Sequence, residues 1–296
     1  MKTLLSILIL LQLTFLHADN YSLSFDGTDD YVEITNQSSA TSVFEYAFTS
    51  TAWVKVTGGS GTNRNILTNA QMSGDGYVLQ VTNENQFSGI IDLQSGWSTV
   101  WGSTVVNPNT WYHFAFSYDG SSLKLYVNGE LDGENSNVSG EIIDPVGNSS
   151  FFIGTRQDLA LFFPGAINEV AIWNDALTAA EITKLYNSGN PLTASTNTGD
   201  YTSSSNLKGY WQMNEGSGTY ITDASGSVNP GTIYGATWSG DTPGSTSSGV
   251  DDGSIELLTG ATEYGVSGNE QGYPLNSYYH DVKHQSLYLA SDLADA

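Results

Sequence analysis

The sequence predicts an all-β fold of two-faced antiparallel sheets, packed as a sandwich or closed as a barrel. Two observations point there. Residues 111–129, WYHFAFSYDGSSLKLYVNG, read as a hairpin: two apolar-rich runs flank Asp119-Gly120, a dipeptide that reverses a chain. In the second run Leu123, Leu125 and Val127 alternate with Lys124, Tyr126 and Asn128, so one face is buried and the other open. Between Tyr21 and Leu192, short apolar runs are also punctuated throughout by Gly, Asn, Asp and Ser, the pattern of many strands joined by turns.

The strands follow in order. YSLSF (21–25), YVEI (31–34), FTSTAWVKV (48–56) and YVLQV (77–81) precede the hairpin. FFIGT (151–155) and AINEVAIWN (166–174) follow it. One helix is expected over 178–187. Thr178 caps it, Glu181 completes a capping box, Ile182, Leu185 and Tyr186 share a face, and Gly189 closes it before Pro191. Such a helix is expected to lie across the sandwich edge. Residues 193–206, TASTNTGDYTSSSN, read as a polar linker, 207–243 as a short separate accessory segment, and 244–296 as the start of an incomplete, β-rich further module. About forty residues without cysteine seldom bury enough surface to fold alone.

Asp and Glu total 31 against 8 Lys and Arg, for a formal charge of −23. Such a surface repels phosphate, which argues against nucleic acid and anionic membranes and leaves divalent cations and neutral ligands such as sugars. Residues 1–18, MKTLLSILILLQLTFLHA, read as a secretory signal peptide: Lys2, an apolar stretch from Leu4 to Leu16, and a small residue at Ala18. The stretch is too short to span a bilayer, so a secreted or cell-surface protein without membrane insertion is expected. With no cysteine, disulfides and thiol chemistry are excluded.

Four segments carry a family resemblance. LSFDGTDDYVEI (23–34), FTSTAWVKV, WYHFAFSYDGSSLKLYVNGELDG (111–133) and FPGAINEVAIWNDALTAAEITKLYNSG (163–189) resemble, in order, the opening strand, second strand, central hairpin and closing strand-helix of laminin G-like, or concanavalin A-like, domains. The resemblance implies a jelly-roll β-sandwich over 19–192, often one module of a large secreted bacterial protein. Residues 207–238 and 273–293 resemble segments that accompany such modules.

Metal is the first candidate chemistry. Asp26, Asp29 and Asp30 crowd a turn beside Gly27, and calcium takes carboxylate and backbone oxygens of this kind. The resemblance implies a calcium near the opening strand, with Asn168 and Glu169 of the closing strand approaching the same turn. Asn168 stands where the family usually has Asp. The competing reading is that the acids only shape the turn. His280 and His284 in HDVKH have i, i+4 spacing but lack the glutamate of a zinc protease, and Pro274 argues against a helix there.

Sugar binding is the second candidate. Exposed aromatics stack on pyranose faces while amides and carboxylates bond hydroxyls. Trp97 and Trp101 flank SGWSTVWGS, and Asn63, Arg64 and Asn65 form a polar loop. Trp53, Trp111 and Trp173 fall in strand patterns and are expected to pack in the core. The closely spaced E-x-D-x-x-E set of glucanases on this fold is absent, and Glu130, Asp132, Glu134 and Glu141 lie around a turn. The reading is a non-catalytic module that binds glycans or mediates adhesion to a matrix or cell-surface ligand. A glycoside hydrolase or polysaccharide lyase and a ligand-free spacer are the alternatives.

Overall fold

The computed structural model describes residues 21–35, 46–70, 75–143, 150–244, 279–281 and 286–288. The expected leader, residues 1–18, and nearly all of the expected further module lie outside them. In that C-terminal unit Tyr279–Asp281 pairs antiparallel with Ser286–Tyr288, which places His280 on a strand, while His284 falls outside the described residues.

The described residues between 21 and 244 form two antiparallel sheets. The first contains β1 (Ser22–Asp26), β3 (Phe48–Val56), β8 (Trp111–Tyr118), β9 (Leu123–Val127), β10 (Glu130–Asn135), β12 (Pro164–Trp173), β13 (Leu207–Trp211) and β16 (Thr237–Ser239). Its order is β10-β9-β8-β3-β12-β1-β16, with β13 also on β12. The second contains β2 (Tyr31–Ile34), β4 (Arg64–Thr68), β5 (Tyr77–Val81), β6 (Gln86–Leu93), β7 (Gly96–Val105), β11 (Phe151–Ile153), β14 (Tyr220–Ile221) and β15 (Gly231–Tyr234). Its order is β14-β15-β2-β11-β4-β5-β6-β7. The expected jelly-roll sandwich is present.

Strand alternation builds the core between the sheets. Leu23 and Phe25, Ala52 and Val54, Phe114 and Phe116, and Leu123 and Leu125 point inward from the first sheet. Val32, Leu79, Phe87, Ile91 and Ile153 meet them from the second. The interval is tight at Gly89, where a Cβ would run into the Phe116 ring.

Two parts of the domain reading are corrected. Residues 207–243 do not stand apart: β13 pairs with β12, β15 with β2 and β16 with β1, so the segment adds strands to both sheets. Residues 193–206 do not run free. Ala194 and Tyr201 are buried, and the Tyr201 hydroxyl accepts from Trp173 Nε1 at 2.9 Å and donates to the Ala194 carbonyl at 2.6 Å.

The helix α1 (Ala179–Tyr186) has the expected Thr178–Glu181 capping box. Its left-handed end is Asn187 rather than Gly189. It lies over the outer face of the first sheet instead of across an edge, because Ile182 and Leu185 meet Ala115, Tyr126, Ala171 and Trp173 in a second core. Among the described residues no helix is long and apolar enough to cross a membrane.

Candidate functional site

The outer face of the second sheet carries the side chains left over from core alternation. On β7, Val100 points inward, so Trp97, Thr99, Trp101 and Ser103 point out. Trp97 is 47% and Trp101 59% exposed, unlike Trp53 and Trp173, which are buried as expected. Trp111 is half-buried, its indole donating to Asp241 at 2.9 Å. Two same-phase residues four positions apart stand ~13 Å from each other along a strand.

β7 is an edge strand, and edges are mobile or adhesive unless tied down. Here β10, the edge of the other sheet, ties it. The Asp132 carboxylate accepts from Ser103 N at 3.0 Å and Oγ at 2.8 Å, and from Thr104 N at 3.0 Å and Oγ1 at 2.7 Å. Asn135 Nδ2 donates to the Thr99 carbonyl at 3.0 Å. At Gly133 a Cβ would collide with the Trp101 carbonyl, so only glycine permits this approach. An acid of the turn around 130–134, Asp132, therefore fixes the strand that presents both tryptophans.

Register places a polar row beside the platform. Trp101 pairs with Ser88, Ser88 with Gln80, and Gln80 with Asn65. Gln80 Nε2 donates to Ser88 Oγ at 3.1 Å. Asn65 is fully buried, and neither its amide nitrogen nor its oxygen has a hydrogen-bond partner among the described residues. Directly across from Trp97 stands Asp92, whose carboxyl is held above the usual range by burial and by the charge of Asp75. Gln80 and Ser88 escaped the sequence reading, although the alternation of YVLQV and QFSGI carries the signal: both sit on the phase opposite the core residues.

Asn63 and Arg64 do not form a free polar loop. Arg64 is buried and clamps the 57–63 turn, donating to Gly58 O at 2.8 Å, Thr82 O at 2.7 Å and Asn85 Oδ1 at 2.8 Å. Asn63 Oδ1 accepts from Asn83 N at 2.9 Å. The pair is scaffold because the backbone carbonyls around it need donors.

The Asp26 turn brings three carboxylates within 4.8 Å. Asp26 Oδ1 accepts from Thr28 N at 2.7 Å, and Asp30 Oδ2 accepts from Asp26 N at 2.8 Å. Burial pushes the Asp30 carboxyl above its usual range, the Asp26 amide opposes this, and the charges of Asp26 and Asp29 add to it. Gly27 takes the left-handed φ of +80° that the turn requires. Asn168 and Glu169 do not join it. Asp26 pairs with Pro164, which puts Asn168 four residues further along β12, ~13 Å away. Asn168 Nδ2 donates to the Tyr21 carbonyl at 2.6 Å, and Glu169 sits at a bulge where it accepts from the Tyr210 hydroxyl.

Glu169 also lines a small cavity under α1 with Trp53, His113, Trp173 and Tyr210. His113 packs against the rings of both Trp53 and Tyr186, at 5.3 and 6.3 Å, and burial pushes it down to about 3, so it is neutral at ordinary pH.

The profile described as the concanavalin A-like lectin/glucanases superfamily matches residues 26–183. The chain belongs to this superfamily. The solved structure of a "putative carbohydrate binding protein" from Bacteroides ovatus is similar, with a TM-score of 0.57 and 20% identity over 76% of this chain. The match spans 61% of the Bacteroides chain. A heptameric SAP-like pentraxin from Limulus polyphemus aligns with a TM-score of 0.48 and 16% identity, over 72% of this chain and 95% of its own. Among curated proteins none matches this lectin/glucanase-family chain in sequence. The superfamily includes enzymes and binders, so the fold leaves the choice to the site.

Proposed function

We propose that this chain is a secreted, non-catalytic glycan-binding module of a larger extracellular protein, and that Trp97 and Trp101 are its sugar platform. The observation that carries the reading is the pair of exposed indoles on one face of an edge strand pinned by Asp132. Rigid, exposed aromatics cost little to order on binding and match the apolar face of a pyranose. The carbohydrate binding ascribed to the Bacteroides neighbour and the lectin members of the superfamily are in keeping with this use. A broad glycan panel tests it: binding of the wild type that Trp97→Ala and Trp101→Ala weaken supports the reading, and binding to no glycan sinks it.

The Asp92–Asp75 interaction is the observation that favours the hydrolase alternative, because a raised carboxyl beside a second acid is the pattern of a glycosidase proton donor. Release of reducing ends from polysaccharides, lost in Asp92→Asn, would replace binding with catalysis as the reading. We propose separately that Asp26, Asp29 and Asp30 hold a calcium ion, which would neutralise three crowded carboxylates.

A further inference from the structure

A second aromatic cluster stands at the opposite edge of the same sheet. Val32, Ile233 and Ile221 point into the core, so Tyr31, Tyr234 and Tyr220 occupy the outward phase of β2, β15 and β14. Tyr31 and Tyr234 face each other in register, their rings stacked at 4.6 Å with an interplanar angle of 15°. Phe152 backs Tyr31 at 6.0 Å. Tyr234 is 42% and Tyr220 61% exposed. Glu33, on the same face, accepts from Ser150 Oγ and pairs with Thr232, itself opposite Tyr220.

Three facts define what this cluster can hold. First, it is not a continuation of the tryptophan platform. Six strand spacings separate β7 from β15, ~29 Å at ~4.8 Å each, and Ser88, Gln80, Asn65, Thr68 and Phe152 between them are buried. Second, its charge is acidic only. Among the described residues Lys55, Lys124 and Lys208 lie on strands of the first sheet and Lys184 on α1. Arg64 is spent on carbonyls and Asn85, and Arg156 is paired with Asp158 at 2.7 Å. A sulfated or uronic acid ligand would meet Glu33 with no cation to offset it. Third, with Tyr31 held between Tyr234 and Phe152, the exposed Tyr234 and Tyr220 rings supply the flat apolar faces, and their hydroxyls, which bond to no other described group, complete the mixed surface that a neutral pyranose requires.

We infer that Tyr31, Tyr234 and Tyr220 form a second, independent site for neutral pyranose units, so that one domain grips two segments of polysaccharide at opposite edges of one sheet. This rests on the glycan-binding reading above. Each site alone is weak. On a polymer, the second contact becomes intramolecular and multiplies affinity without any new interaction.

The test uses mixed-linkage β-glucan, xyloglucan and galactomannan in affinity electrophoresis, then calorimetry with short oligosaccharides cut from whichever polymer retards the chain. The expected stoichiometry is two. Trp101→Ala and Tyr234→Ala each reduce it to one and weaken polymer binding at least tenfold, and the double variant loses binding. Tyr220→Ala, a change at an exposed side chain, weakens the same site as Tyr234→Ala and guards against a folding defect. A stoichiometry of one that Trp101→Ala removes and Tyr234→Ala leaves intact overturns the second site while sustaining the first. A stoichiometry of one that only Tyr234→Ala removes overturns the first. Retention by no neutral polymer overturns both. A wild-type dimer that Tyr234→Ala converts to monomer would make the tyrosine face a protein interface and overturn the inference.

Discussion

Replacing Trp211 by Ala should unfold more than the β13 strand. Its side chain is wholly buried in the main core, although it comes from the segment whose sequence looks like an appendage. It stacks on Phe151 of the other sheet at 5.4 Å and 18°, and its indole donates to the Asn229 carbonyl at 2.8 Å. Removing a buried tryptophan costs about 3–5 kcal/mol in transfer and cavity terms. The lost stack and the orphaned carbonyl lie partly within that figure, so ~4 kcal/mol is expected. Against the typical ~5–15 kcal/mol of a domain this is a large share. For a unit of this size it lowers the melting temperature by about 8–16 °C. Urea unfolding followed by tryptophan fluorescence and circular dichroism would measure it. Trp211→Phe keeps the stack and should lose roughly half as much. A loss below ~1 kcal/mol would refute the claim that 207–238 is part of the sandwich.

Glu181 accepts from Ser203 Oγ, from the N–H and hydroxyl of Thr202, and from those of Thr178, binding α1 to the chain that follows it. Burial alone would raise its carboxyl, but these bonds outweigh it and hold the group below its ordinary value of 4.5. Its contribution is therefore present above pH 4.5 and lost as pH falls through the lower folded value; Glu181→Gln should cost about 2 kcal/mol at neutral pH and flatten that part of the stability profile. His113 acts in another window: pushed by burial from 6.5 to about 3, it must pick up its proton mainly by unfolding, so stability should fall as pH drops from 6.5 toward 3. His113→Phe should flatten the profile between pH 6.5 and 4.5, and an unchanged slope there would contradict the burial of a neutral imidazole. If calcium occupies the Asp26 turn, millimolar calcium should raise the melting temperature over chelator, by ~2.7 kcal/mol of stability at a hundredfold excess over Kd, and Asp30→Ala should remove the dependence. Identical melting with and without chelator would count against the metal.

Local chemistry was legible where one segment decides the outcome. The Asp119-Gly120 hairpin, the alternation of Leu123, Leu125 and Val127, and the Thr178–Glu181 box all depend on neighbours in sequence. Long-range pairing was not. Residues 207–243 are rich in Gly, Ser and Thr, yet Leu207, Tyr210, Trp211, Ile221 and Ile233 find partners contributed by other strands. The exposure of the tryptophan pair was legible in SGWSTVWGS, because two indoles four residues apart share a phase on any strand. Its anchor was not, since Asp132 reaches β7 only after the two sheets have closed on one another. Arg64 misled for the same reason: an Arg among Asn residues reads as a solvated loop until Thr82 and Asn85 fold over it. Asn168 and Glu169 lay on a strand beside β1, as the sequence implied, but register sets them four and five residues from the partner of Asp26.

The most direct test of the central claim is the affinity of the wild type, Trp97→Ala and Trp101→Ala for a soluble neutral polysaccharide, with folding checked by melting temperature. Both indoles are about half exposed, so both variants should fold as the wild type does. The account predicts that each loses about tenfold or more in affinity, as stacking contributions of ~1.4 kcal/mol or more would require. Full affinity in both variants, with melting unchanged, would contradict it and move the glycan site away from β7.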